Sequence, residues 1–202
     1  EPDAPRLLHE QLRGEGLAVD VLVNNAGFGL YGPFLEIPWE RQREMLALDI
    51  LAVVHLTRLF AADMRARGFG RVLQIASIGA FQPSPTYATY AAAKAFVLSF
   101  GEALAAELRG TGVGVTVLSP GVTETEFFAV AGQPRSLYQR LLVMSSASVA
   151  RIGVRALLRG RTSVVPGYAN ALVAWSMRLV PRRWQASLAQ AAMTIGSGTK
   201  AQ

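Results

Sequence analysis

Apolar and polar residues follow one another in blocks whose period changes along the chain. Residues 4–14 have helical spacing that stops at Gly14 or Gly16. Asp20 to Asn24 is a short apolar run, read as a buried strand, and it leads into Asn25-Ala26-Gly27 and a loop marked by Gly29, Gly32, Pro33 and Pro38. Over residues 39–67 the spacing is helical again, with Met45, Leu48, Ala52, Leu56 and Leu59 on one stripe and Gly68 and Gly70 as the stop. Arg71 to Ala76 reads as the next strand, with Ser77 at its C-terminal end. Pro83 and Pro85 mark a loop, residues 86–109 a long helix ended by Gly110, and Val113 to Leu118 a strand closed by Ser119-Pro120-Gly121. Residues 122–145 are loop-like or weakly helical. A helix over 146–159 with Ser146 or Ser148 as N-cap, a short strand from Thr162 to Val165, an apolar run over 169–180 and a helical 185–193 complete the pattern.

Strands alternating with helices predict a parallel, Rossmann-like three-layer α/β sheet. In such sheets ligands bind beyond the C-terminal strand ends, and Asn24, Ser77 and Pro120 each sit at one. The run Gly27-Phe-Gly29-Leu-Tyr-Gly32 spells G-x-G-x-x-G after a strand, with Asp49 further on. A dinucleotide fingerprint requires a helix to open inside the motif so that its N-terminus meets the pyrophosphate. Pro33 and Pro38 follow at once and Asp49 lies in a helical pattern, so the match is rejected.

Composition narrows the function. The 202 residues suit one domain, and 51% of them are hydrophobic, which favours a packed core over disorder. There is no Cys, which excludes disulfides, thiolate metal sites and a Cys nucleophile and fits a reducing cytoplasm. His9 and His55 have no accompanying carboxylate cluster, so no metal site is expected and both read as structural or exposed. The start is not a signal peptide and is not a Met, so a fragment or a processed form is expected. No run of apolar residues reaches the ~18 needed to span a bilayer. The charge is uneven: residues 1–126 carry 10 Lys+Arg against 14 Asp+Glu, and residues 127–202 carry 10 Lys+Arg and no acid. That basic third, 168–202 forming a helical extension, is compatible with solvated arginines, with phosphates or with anionic lipid. Nucleic-acid binding is not expected, because the arginines are scattered through apolar helical pattern. The 169–180 run, with Trp175, Arg178, Arg182, Arg183 and Trp184, would lie on a membrane surface or pack on the domain or a subunit partner.

Tyr90 and Lys94 are four residues apart, on one face of the predicted helix. A cation beside a phenol favours the phenolate and eases proton transfer to or from a carbonyl or alcohol oxygen. Such pairs are also common on helix surfaces, so the spacing by itself leaves both readings open. Phe127, Phe128, Leu137, Tyr138, Leu141, Leu142 and Met144 would form either a lid over a lipophilic substrate or ordinary packing.

Taken together the motifs resemble those of the short-chain dehydrogenase/reductase family. Asn24-Asn25-Ala26-Gly27 is similar to its NNAG, Ser77 precedes Tyr90 by 13 residues, Tyr90-x-x-x-Lys94 follows, and Pro120-Gly121-Val122-Thr123-Glu124-Thr125 is similar to its PG-x-x-x-T. The run GFGLYGPF and the segment through VVPG resemble a bacterial subgroup named after a D-alanine-lipid-related oxidoreductase. The resemblance implies an NAD(P)-dependent oxidoreductase interconverting a carbonyl and an alcohol. In it Tyr90 is the acid or base, Lys94 lowers the Tyr90 pKa and holds the nicotinamide ribose, and Ser77 holds the substrate oxygen. It further implies that Asn24, Ala26 and Gly27 line the adenosine side of the cofactor and that Pro120, Gly121, Thr123 and Thr125 border the nicotinamide.

Two features depart from the pattern. Asp49 stands where the family has a catalytic Asn, and a carboxylate cannot donate the amide's hydrogen bonds. The family's N-terminal glycine-rich turn and first three strands have no counterpart, about 60 residues of two βαβ units. Weak dinucleotide binding by this chain alone is therefore expected, with no basis for choosing NAD over NADP. The alternative is a truncated, non-catalytic remnant that acts through oligomerisation or membrane-surface contact. The expected partners are a small, lipophilic carbonyl or alcohol and a second copy of the chain.

Overall fold

A computed structural model describes residues 3–124 and 143–194. Four parallel strands form its centre: β1 (Val21–Asn24), β2 (Gly70–Ile75), β3 (Val113–Leu118) and β6 (Ser163–Val164), in the order β1-β2-β3-β6. Two further two-residue strands, β4 (Thr123–Glu124) and β5 (Met144–Ser145), pair with each other in parallel. The helices are α1 (Ala4–Gly14), α2 (Trp39–Leu46), α3 (Val53–Arg67), α4 (Ala88–Glu107), α5 (Ser146–Leu158), α6 (Tyr168–Ser176) and α7 (Arg182–Thr194).

Strand alternation sorts the core into two faces. Val72, Val113 and Val115 pack with Phe60 and Met64 of α3, and Ala76 and Val117 with Val53 of α3 and Val97 of α4. On the other face Leu73 and Leu118 meet Val149 and Leu157 of α5. The expected three layers are therefore present, with α3 and α4 on one side of the sheet and α5 on the other. Gly101 lets α4 come close to β3: a Cβ there would lie 2.4 Å from Val117 Cγ2.

Several expectations change in detail. β1 is an edge strand, and Val21 and Val23 are exposed rather than buried. The stripe expected over 39–67 is displaced. The buried face runs Gln42, Met45, Asp49, Val53, Thr57, Phe60, Ala61, Met64, whereas Leu48, Ala52, Leu56 and Leu59 lie at its margin. The cause is a π-helical turn over Ala47–Ala52 joining α2 to α3. A wider turn advances the buried face four residues at a time instead of alternating three and four. The cap of α5 is Ser145, not Ser146 or Ser148: its Oγ accepts from the backbone N–H of Ser148. As expected, no helix opens within Gly27 to Gly32; a 3-10 turn at Phe34–Glu36 comes first and α2 begins at Trp39.

The continuous helix Trp39–Arg67 also corrects the bilayer count. It has 29 residues and a mean hydropathy of 1.8 in its most apolar stretch, so by length and composition it is long and apolar enough to cross a membrane. In this fold it lies against β1, β2, β3 and α4, with its polar Asp49 and Thr57 turned inward to partners.

Gly112 marks the tightest backbone approach. It has φ +86°, and a Cβ would fall 1.8 Å from the carbonyl oxygen of Gly68. Gly110 has φ +83° but open space around it. Gly110→Ala is expected to cost about 1 kcal/mol from backbone strain alone, and Gly112→Ala at least twofold more, because the turn must also move. Urea unfolding of the two variants checks the ratio.

Candidate active site

The strand ends are aligned. Asn24 pairs with Gln74 across β1–β2, and Ile75 with Leu118 across β2–β3. The alignment continues past the sheet, since Ala76 N–H donates to Leu118 O and Ile78 N–H to Pro120 O, both at 2.8 Å. Ser77 and Pro120 therefore leave the sheet side by side. The Ser77 Oγ accepts from Gly79 N–H at 3.1 Å and caps the short 3-10 turn Ile78–Phe81.

Helix α4 enters this edge with its N-terminal end. Tyr90 lies in its first turn and Lys94 one turn later. Lys94 is buried, and its Nζ donates to Ile75 O at 3.3 Å and lies 3.1 Å from Asp49 Oδ2. Asp49 is 0% exposed and sits within the π turn. Its Oδ1 accepts from the Phe28 N–H at 3.2 Å, which draws the loop after β1 onto the same carboxylate. The packing is tight enough to require glycine at 27: a Cβ there would lie 2.6 Å from Asp49 Oδ1 and 3.2 Å from Lys94 Nζ. The structure thus brings Ser77, Tyr90, Lys94 and Asp49 together with Gly27.

Electrostatics at the centre run opposite to the simple picture of a lysine depressing a phenol. The Tyr90 phenol is pushed far up, first by burial; a hydrogen bond with Ser77 opposes this and the charge of Asp49 adds to it. Burial also raises the Asp49 pKa, and the Lys94 charge, the contact with Lys94 and the Phe28 N–H hold it down. Lys94 Nζ lies 5.8 Å from the Tyr90 ring centroid while it contacts Asp49 directly. Fields add, so the Asp49 charge, which raises the phenol, opposes that of the lysine there.

The other expected residues divide by position. The Asn24 side chain is buried, and its Nδ2 donates to Thr57 Oγ1 at 2.9 Å and Gln74 Oε1 at 3.0 Å. Gln74 Nε2 in turn donates to Thr57 Oγ1 at 2.8 Å, so Asn24 ties β1, β2 and α3 together below the rim. Asn25, Ala26 and Gly27 are exposed above it, with no side chain larger than a methyl at 26 and 27. Pro120 and Gly121 follow β3, and the Thr123 hydroxyl donates to Gly121 O. Thr125 lies outside the described residues, as do the lid candidates Phe127, Phe128, Leu137, Tyr138, Leu141 and Leu142. Met144, in β5, joins the packing around Leu118 and Val149.

Two sets of residues escaped the sequence reading. Tyr31 and Tyr87 stand beside Tyr90, with ring centroids 5.3 Å apart for Tyr31–Tyr87 and 5.8 Å for Tyr87–Tyr90. Tyr87 lies three residues before Tyr90 and was within reach of a helical-face argument; Tyr31, from a loop, had no such signal. The buried Asn170 of α6 fits against Gly121, where a Cβ would lie 2.5 Å from its Nδ2. Among the described residues no group of three or more His, Asp or Glu is placed to hold a metal ion.

The backbone of Ala26 and Gly27 is exposed beside the strand ends, and the inner side of Gly27 is closed by Asp49 and Lys94.

Comparison with known proteins places the arrangement. A family model described as short chain dehydrogenase matches residues 4–135. A probable oxidoreductase, EphD, of Mycobacterium bovis is 34% identical over 133 residues, which cover 65% of this chain and 22% of that protein's length. The fold superposes on a 7beta-hydroxysteroid dehydrogenase structure with TM-score 0.81 and 22% identity, covering 94% of this chain and 73% of the other. It superposes on a short-chain dehydrogenase from Sphingobium yanoikuyae in complex with NADPH with TM-score 0.74 and 24% identity, covering 100% and 75%. With the family match spanning most of its length and the Ser-Tyr-Lys constellation at the strand ends, the chain belongs to the short-chain dehydrogenase/reductase family.

Proposed function

We propose that this chain carries the catalytic half of an NAD(P)-dependent oxidoreductase that interconverts a carbonyl and an alcohol. The observation that carries the reading is the convergence of Ser77, Tyr90 and Lys94 at the aligned ends of β2 and β3. The bound nicotinamide would supply or take up the hydride. Everything else falls to this chain. Ser77 Oγ holds the substrate oxygen and stabilises charge developing there. Tyr90 donates its phenolic proton to that oxygen in reduction and takes it back in oxidation. Lys94, Ala26 and Gly27 would face the cofactor from one side, and Pro120, Gly121 and Thr123 from the other.

The high Tyr90 pKa keeps the phenol protonated at neutral pH, the form that carbonyl reduction needs. The aromatic wall of Tyr31 and Tyr87 supports a lipophilic or aromatic carbonyl, because flat rings contribute apolar area at low entropic cost. Leu51 and Phe96 stand exposed on the π turn and on α4, which supports pairing of two copies across these helices. Neither NAD nor NADP is favoured by the described residues.

The reading is tested by following NADH and NADPH consumption with a panel of lipophilic ketones and aldehydes, alongside titration of each dinucleotide. Tyr90→Phe is expected to lower turnover by about 10²- to 10⁴-fold with the fold intact by circular dichroism. An active Tyr90→Phe variant would refute the assignment. Dinucleotide binding with no turnover on any carbonyl or alcohol would favour the non-catalytic alternative.

Asp49 gives a second expectation. Its negative charge raises the Tyr90 pKa, so Asp49→Asn lowers it. Reduction needs the protonated phenol and fails as pH rises through that pKa. The alkaline limb of the reduction profile is therefore expected to move to lower pH in Asp49→Asn. The rise in oxidation rate moves to lower pH in step. Paired pH–rate profiles of the two proteins check both signs.

A further inference from the structure

Helices α6 and α7 have a surface that none of the described elements covers. On α6, Tyr168, Leu172 and Trp175 recur at i, i+4 and i+7, one side of the helix, and Leu179 follows in the next turn. Their exposures are 99%, 63%, 55% and 69%. The same helix is anchored from its other side by the buried Asn170 and Ala174. α7 repeats the plan, with Ala189 buried and Trp184 and Leu188 exposed. The corner between them is fixed, because Gln185 Nε2 donates to Met177 O and Val180 O, both at 2.9 Å. Exposed arginines surround the corner: Arg178, Arg182 and Arg183, the last with its guanidinium 5.0 Å over the Trp184 ring.

Scattered apolar residues on a surface need no explanation, but a contiguous stripe rimmed by one sign of charge does. From residue 127 to the end there are ten Lys+Arg and no acid. Glu102 of α4 borders the cleft beneath Trp175 and Arg178 as the acid from the neighbouring body. Two copies joined through this face would bring like charges together with no acid on either helix to pair them. Nucleic acid would match the arginines but would leave Leu172 and Leu179 against phosphate. A bilayer surface satisfies both halves: aromatic and aliphatic side chains enter the headgroup–acyl boundary while arginines meet lipid phosphates.

We propose that α6, α7 and the corner between them dock this protein on anionic membrane surfaces, with Tyr168, Leu172, Trp175 and Leu179 inserted and Arg178, Arg182 and Arg183 pairing with lipid phosphates. The residues proposed to meet lipid are none of the strand-end residues, and the test measures no activity, so the proposal stands or falls apart from the oxidoreductase reading.

The full chain is sedimented with phosphatidylcholine vesicles and with phosphatidylcholine vesicles containing phosphatidylglycerol. The expected result is pelleting with the anionic vesicles, weakened by added salt. Replacing Arg178, Arg182 and Arg183 together by Ala is expected to weaken partitioning roughly a hundredfold. Leu172→Ser combined with Trp175→Ser is expected to abolish it. All five positions are exposed, so melting temperature and circular dichroism of these variants serve as the folding control. A chain that stays in the supernatant with both vesicle types would overturn the proposal. So would equal binding to the neutral vesicles, or an oligomer that the Leu172/Trp175 variant converts to monomer, since the stripe would then be a protein interface.

Discussion

The buried pair of Asp49 and Lys94 is the contact on which the site depends. It joins three pieces of chain: the π turn between α2 and α3, the second turn of α4, and the loop after β1 through the Phe28 N–H. A carboxylate with no exposed surface is held there against a large desolvation cost, and only an opposite charge and a hydrogen bond at close range compensate it. Removing either partner would leave an uncompensated charge in the interior. The pair also dictates glycine at position 27, because any side chain would collide with it.

This contact connects fold to chemistry. The parallel sheet aligns three strand ends, the Asn24–Thr57–Gln74 network locks two of them to α3, and α4 then delivers Tyr90 to the open edge. Lys94 and Asp49 sit together beside the phenol, so their opposite charges act against each other there. Burial and the Asp49 charge keep Tyr90 protonated, and a hydrogen bond joins it to Ser77. Asp49 thereby adds its charge to the burial that raises the phenol.

Much of this was legible in the chain. Strand β3 and helix α4 follow directly from apolar runs and the stops at Gly110 and Ser119-Pro120, and the strand-end positions of Ser77 and Pro120 follow from the alternation. The π turn was not, because hydropathy spacing at Leu48 and Ala52 suits an ordinary helix equally well. Only the tertiary partners of Asp49 and Thr57 reveal why polar residues take the inner face. The role of Asn24 was also hidden: a strand-end Asn reads the same whether its amide faces a ligand or a neighbouring Gln. Val21 and Val23 look like core by composition, and their exposure depends on what lies beside an edge strand, which periodicity does not encode. The exposed stripe on α6 shows the converse, since the same apolar residues would read as core until the opposite side of the helix is seen to be the anchored one.

The strand ends and the basic C-terminal helices meet where Asn170 of α6 fits against Gly121. The central claim concerns the phenol itself. Spectroscopic titration of tyrosinate formation in the full chain, taken as the difference from Tyr90→Phe, isolates Tyr90 without cofactor or substrate. The account predicts ionisation well above the ordinary phenol range. A Tyr90 that titrates at or below that range would show that Lys94 acts on the phenol rather than on Asp49, and would contradict it.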